Sequence, residues 1–199
     1  MWAHMGKTGG DTTLRLFQLF PDLIEYADTD GDQAKHARFS ERPERVVGKT
    51  RLMNIRRLPS WVLAFSVHKS QRGVFPEYER GPMDSPYQMA HSREPDRQLA
   101  SFLEGGAISY WIRREQLKDD FLRFISRYVD VSDDQRMAVQ QLAPVNTAVY
   151  DRDLEHWFTA AHLELMYENN PLWAEVEQQV YSRPATELAK AGYEAPTGA

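Results

Sequence analysis

Near the start of the 199-residue chain stand Gly6-Lys7-Thr8-Gly9-Gly10, a run whose residue types suit the capture of a small anion. Glycines let the backbone come close to oxygen atoms, the lysine brings a cation, and the threonine brings a hydroxyl. Directly behind them come Asp11, Thr12 and Thr13, all cap-type residues, and then Leu14, Leu16, Phe17, Leu19 and Phe20. The spacing predicts a glycine-rich turn that feeds a buried helix, stopped by Pro21. A helix start adds outward N–H groups and the positive end of its dipole. The loop is not a Walker A motif, Gly-x-x-x-x-Gly-Lys-Ser/Thr. Gly6-Lys7-Thr8 match its last three residues, but its first glycine would fall on Met1. The lysine here precedes its glycines. Composition alone leaves open a plain connector between strand and helix.

Charge supplies a second lead. Between Lys35 and Arg57 lie eight basic residues (Lys35, Arg38, Arg42, Arg45, Lys49, Arg51, Arg56 and Arg57) and two acidic ones, Glu41 and Glu44. That segment carries +6 in a chain of net charge -5, so the remainder carries -11. A short basic stretch in an acidic protein suits a small anionic ligand or a solvated face; a long nucleic acid would need a broader basic surface. Asp28-Thr29-Asp30-Gly31-Asp32 opens like a calcium loop, yet Gln33 and Phe39 occupy its required Gly and Glu positions, so no calcium site is expected. His156 and His162 are six apart, off the spacing that would set them on one helix face, and read as structural.

The order of residues in the first loop resembles a known family. His4-Met5-Gly6-Lys7-Thr8-Gly9-Gly10 is similar to the His-x-Pro-Lys-Thr-Gly-Gly segment of sulfotransferases that use 3′-phosphoadenosine 5′-phosphosulfate (PAPS), in particular their carbohydrate branch. Gly6 replaces the usual Pro, and Asp11 stands where a hydroxyl residue is common. Ile55-Arg56-Arg57-Leu58-Pro59 resembles the family's Arg-x-Pro turn, with Ser66 nine residues past Arg57; a strict pairing sets Phe65 at the family's serine. Tyr110 to Phe121 looks like the family's late strand and following helix, and Phe158 to Tyr167 like its C-terminal helix.

The resemblance implies the following assignments. Gly6, Lys7, Thr8, Gly9, Gly10, Asp11, Thr12 and Thr13 would cradle the 5′-phosphosulfate, with either Thr12 or Thr13 supplying the hydroxyl. Arg57 and Ser66 would hold the 3′-phosphate. Lys7 would stabilise charge on the leaving phosphate, the task of an oxyanion site, and no metal is expected. The acceptor hydroxyl needs a general base, for which histidine is suited. Lys35-His36-Ala37 looks like a pair found after the family's second strand, so His36 is the expected base, ahead of His68 and of Glu41. The acceptor would be a glycan or other small molecule. Two alternatives stay open: a P-loop-type kinase, which should prefer ATP with magnesium, and a non-catalytic nucleotide-binding relative.

Composition bounds the rest. With no cysteine, disulfides, thiol nucleophiles and cysteine-held metals are excluded. No apolar run reaches eighteen residues and no secretory pattern opens the chain, so a cytoplasmic protein without a membrane span is expected. Leu23 to Ala27, Arg51 to Arg57 and Ile108 to Ile112 read as strands. Helices are expected over 60–69, over 97–103, behind Leu117 and behind Leu154, and over 172–181. Leu117, Phe121, Phe124, Ile125 and Tyr128 make the clearest amphipathic stripe. The expectation is one α/β domain over 1–199, three-layered and P-loop-like, with a short parallel sheet and a helical C-terminal part. Residues 70–95 read as an irregular acceptor-side loop, and 192–199 as a frayed tail.

Overall fold

A computed structural model describes residues 1–25, 36–71, 90–145 and 147–181. The Asp28–Asp32 turn, Lys35, most of the expected 70–95 loop and the 192–199 tail lie outside them. The elements run β1 (Trp2–Ala3), α1 (Gly10–Phe17), α2 (Pro43–Val46), β2 (Leu52–Ile55), α3 (Leu58–Gln71), α4 (Glu94–Leu103), β3 (Tyr110–Arg113), α5 (Leu117–Ile125), α6 (Asp133–Gln141), α7 (Leu154–Trp157), α8 (Ala160–Asn169) and α9 (Pro171–Tyr181). The chain is α/β, with a short three-stranded parallel sheet flanked by helices. It divides into two compact units, Met1–Ile55 with Phe102–Thr147 and Arg56–Ser101 with Ala148–Ala199.

The first unit holds the sheet, in the order β1-β2-β3. Trp2 pairs with Leu52 and Ala3 with Met53, while Leu52 to Ile55 pair in step with Tyr110 to Arg113. All four β2 residues are buried, as a central parallel strand requires. Leu16, Phe20, Leu52, Ile112, Phe121 and Ile125 lie at the heart of its apolar core. The stripe of α5 delivers Leu117, Phe121, Phe124 and Ile125 to that core, and Tyr128 falls outside the helix, exposed. Asp120 shares the buried face because it clamps β3: it accepts from the Arg113 backbone N–H (2.9 Å) and from Arg113 Nε (2.8 Å), and it pairs with Arg123.

In the second unit α3 packs against α7, α8 and α9. Trp61 and Trp173 are fully buried with ring centroids 5.1 Å apart, and the Trp173 indole N–H donates to the Arg56 carbonyl (3.1 Å). Asp96 on α4 receives the N–H groups of Leu172 (2.9 Å) and Trp173 (2.8 Å), so a carboxylate distant in sequence satisfies the orphan donors of α9.

Four expectations change. Over its described part the strand expected at Leu23–Ala27 is absent: Pro21–Leu23 is a 3₁₀ turn, closed by Ile24 N–H to Pro21 O (3.0 Å), and Leu23 is exposed. Two adjacent apolar residues behind a proline turned instead of extending. Pro95 lies in the first turn of α4, a position proline tolerates, and not in a loop. The helical pattern behind Leu154 is two helices, because the Thr159 hydroxyl accepts the His162 N–H (3.3 Å) and starts α8 afresh. Helix α6 answers to no expected element. Helix α1 ends at Phe17 and is one-sided, with Arg15 exposed and Leu14 and Phe17 half-buried.

Candidate functional site

The glycine-rich run lies between β1 and α1, and its shape follows from tight local contacts. Thr8, fully buried, donates its hydroxyl to the Met5 carbonyl at 2.6 Å and draws residues 5–8 into a turn. Lys7 sits inside that turn with φ +67, the one non-glycine in the left-handed region among the described residues. Gly9, at φ +93, caps α1. A Cβ there would come 2.6 Å from Arg114 Cδ and 2.8 Å from Leu117 Cδ1, so glycine is required for space as well as for conformation. At Gly10 a Cβ would overlap the His4 ring itself. At Gly6 it would meet nothing within 4 Å, which leaves that flank of the loop open.

The hydroxyls behind the loop are engaged in building it. Thr13 Oγ donates to Gly9 O (3.2 Å) and accepts from Asn54 Nδ2 (2.8 Å), while Asn54 Oδ1 accepts the Trp2 indole N–H (2.6 Å). Asn54, fully buried on β2, therefore ties the edge strand to the first turn of α1. Thr12 Oγ accepts the Val145 N–H (3.1 Å). The first intrahelical bond is Thr13 N–H to Gly9 O (3.0 Å), so the backbone N–H groups of Gly10, Asp11 and Thr12 precede the helix's own ladder. Gly6, Lys7, Gly9 and Asp11 are partly exposed, whereas Thr8, Gly10, Thr12 and Thr13 are buried. What is partly exposed is glycine backbone, the lysine and Asp11.

His36 reaches this loop across 32 residues of sequence. Its Nδ1 lies 3.2 Å from the His4 carbonyl oxygen, and its ring meets the His4 ring edge-on at 4.6 Å. A carbonyl only accepts, so this bond sets the proton on Nδ1; in the neutral ring the lone pair is then on Nε2. His4, almost fully buried, stacks on Trp2 at 4.8 Å and bears on Gly10. The structure thus brings His36 to His4, whose ring also bears on Gly10 of the loop. Sequence reasoning quoted His4 in the segment but gave it no task, and it missed Asn54, whose signal is an amide in a wholly buried strand.

The other expected residues occupy different surroundings. Glu41 closes a 3₁₀ turn, accepting the Arg38 N–H (2.7 Å). His68 lies near the end of α3, in the second unit. Ser66, also on α3, is buried and donates its hydroxyl to Val62 O (2.9 Å), inside its own helix. Arg57 Nη1 donates to Glu177 Oε1 (2.9 Å), and its guanidinium lies over the Tyr181 ring at 4.1 Å. Glu177, fully buried, also accepts the Leu58 N–H (2.9 Å) and the Tyr167 hydroxyl (2.9 Å). Burial pushes its carboxyl above the ordinary value, against the pull of those three donors. Its signal in the sequence was a glutamate on the same stripe as Trp173 and Val176. No group of three or more His, Asp or Glu among the described residues could hold a metal ion, and no described helix is long and apolar enough to cross a membrane. No protein-family model, curated protein sequence or solved structure matches the chain.

Proposed function

We propose that the chain is a sulfotransferase of P-loop-like fold that moves a sulfuryl group from PAPS to the hydroxyl of a small acceptor. The observation that carries the reading is that His36, with Nδ1 on the His4 carbonyl, reaches the residue that leads into the loop in which Lys7 holds a left-handed turn. Residues held in such backbone conformations cluster at functional sites. The loop offers the group an ammonium at Lys7 and glycine backbone at Gly6 and Gly9, with Asp11 as the one acid among its partly exposed residues, and no atom lies within 4 Å of a Cβ at Gly6.

PAPS supplies an activated sulfuryl group on a phosphate leaving group. Lys7 and the amides of Gly9 to Thr12 neutralise charge on the phosphosulfate and on the bridging oxygen as its bond to sulfur breaks. His36 Nε2 takes the acceptor's hydroxyl proton as the new sulfur–oxygen bond forms, and the His4 carbonyl steadies the resulting imidazolium through Nδ1. The products are a sulfate monoester and 3′-phosphoadenosine 5′-phosphate. The reading rests on the first unit alone. Arg57 and Ser66, which the resemblance sets at a 3′-phosphate, lie in the second unit, where the Arg57 guanidinium meets Glu177 and Tyr181 and the Ser66 hydroxyl bonds within α3.

Calorimetric titration of 3′-phosphoadenosine 5′-phosphate without magnesium tests the proposal. Binding is expected, and Lys7→Ala should weaken it roughly 10- to 100-fold by removing a charge-assisted contact. His36→Ala should leave that affinity in place and lower transfer by about 10²-fold or more. No binding of the bisphosphate, or a Lys7→Ala variant with unchanged affinity, refutes it.

A further inference from the structure

The first unit holds a cavity of about 780 Å³, a size usual for a small-molecule site. Its apolar lining comes from Leu14 and Phe17 of α1, Leu52 of β2, and Phe124 and Ile125 of α5. Trp2, His4 and Tyr128 line it too, so aromatic residues fall into two groups. Trp2 stacks on His4 at 4.8 Å and meets Phe17 at 5.5 Å, while the Phe124 and Tyr128 rings lie 5.1 Å apart. The polar members of the lining are engaged with their own neighbours. Lys49 Nζ binds Glu25 Oε2 at 2.6 Å, and Arg45 lies 4.0 Å from Glu44 and also attracts Glu25. The Met1 ammonium donates to the Thr50 carbonyl, the Tyr128 hydroxyl donates to Thr50 Oγ1 (3.2 Å), and Arg42 has an interaction of its own.

We infer that this cavity binds an uncharged aromatic small molecule, with a frame of linked or fused rings packed on these side chains. An ionic ligand would compete with pairs already made, and its charge would lie over an apolar floor, which is costly. A sugar suits the site no better, since Leu14, Leu52 and Ile125 offer no partner to a ring of hydroxyls. Burial of apolar area supplies the affinity, and offset or edge-on ring contacts favour an aromatic frame over an aliphatic one of the same size. The occupant would share the His4 side chain with Gly10, since His4 lines the cavity and also bears on the loop. The inference goes beyond the sulfotransferase reading and does not rest on it.

The test is fluorescence titration of the full chain with N-phenyl-1-naphthylamine, an uncharged probe that brightens in apolar surroundings. Beside it runs 8-anilinonaphthalene-1-sulfonate, the same frame carrying a sulfonate. The amine should bind, roughly tenfold or more tightly than the sulfonate. Leu14→Trp, which fills the half-buried floor, should weaken the amine roughly tenfold or more. Thr50→Trp, at an exposed lining position where the fold tolerates change, should weaken it as well, and carries the test should Leu14→Trp not fold. Phe17→Leu keeps an apolar wall, removes a ring and should weaken the amine several-fold. Absence of binding, or a sulfonate that binds as tightly as the amine, overturns the inference. So does an affinity for the amine that the tryptophan substitutions or Phe17→Leu leave unchanged.

Discussion

Replacing Gly10 by alanine puts a methyl group where the His4 ring now lies. Three ring atoms, Cδ2, Cγ and Nε2, fall inside van der Waals overlap with the new Cβ, so the ring must retreat by roughly 1 Å or more to reach an ordinary contact. It has little room. Its solvent exposure is 5%, Trp2 stacks on one face and His36 meets its edge. Overpacking of this kind costs about 1–3 kcal/mol. Alanine's better helix propensity returns at most about 1 kcal/mol, and less in the first turn than in a helix interior. The net expectation is a loss of about 1–2 kcal/mol. Gly6→Ala is the control, because nothing lies within 4 Å of its Cβ and its φ is not left-handed. It should be neutral or should stabilise by up to about 1 kcal/mol, through the unfolded chain. Urea unfolding of both variants measures the gap. If Gly10→Ala is as stable as Gly6→Ala, the packing of His4 on the loop is wrong, and with it the account of how His36 is held.

Asn54→Ala removes the acceptor of the Trp2 indole and the donor to Thr13 in one step, and should cost about 2–3 kcal/mol in urea unfolding; a loss under about 0.5 kcal/mol would show that the amide ties nothing. Glu177→Ala takes away the acceptor shared by Arg57, Leu58 and Tyr167 and should cost about 3–5 kcal/mol. Glu177→Gln tests the raised carboxyl: such a group contributes stability that is complete below its unfolded value of 4.5 and is lost as pH rises through the folded one. The glutamine variant should therefore gain on the parent as pH rises above 4.5, and a pH-independent difference would contradict the shift.

Where side-chain periodicity and a stop signal coincide, the sequence was readable. Gly9-Gly10 at the start of α1, Pro59 at the head of α3 and the stripe of α5 each name an element by local chemistry. The failures have local causes too. Helix α6 buries only Val139, so it carries almost no apolar stripe; its visible mark is Ser132 three residues before Gln135, a reciprocal cap. The site splits along the same line. The glycine-rich loop is written in five consecutive residues, but the approach of His36 to His4 and of Arg57 to Glu177 joins positions 32 and 120 apart, and no local pattern encodes such pairs.

The conformations within the loop bear on which residue to credit with function. Glycine is the usual occupant of a left-handed position, because any Cβ there costs about 1–2 kcal/mol. Gly9 obeys this, at φ +93. Gly6 does not need to be glycine on conformational grounds, yet its neighbour, at φ +67, is a lysine. The turn that imposes this is locked from behind, by the Thr8 hydroxyl on Met5 O and by Gly9 wedged against Arg114 and Leu117. A fold selected for stability alone would exchange the two residue types. Keeping the ammonium at the strained position and a glycine beside it sets a charge next to the start of α1, an arrangement that an anion would reward and that packing does not.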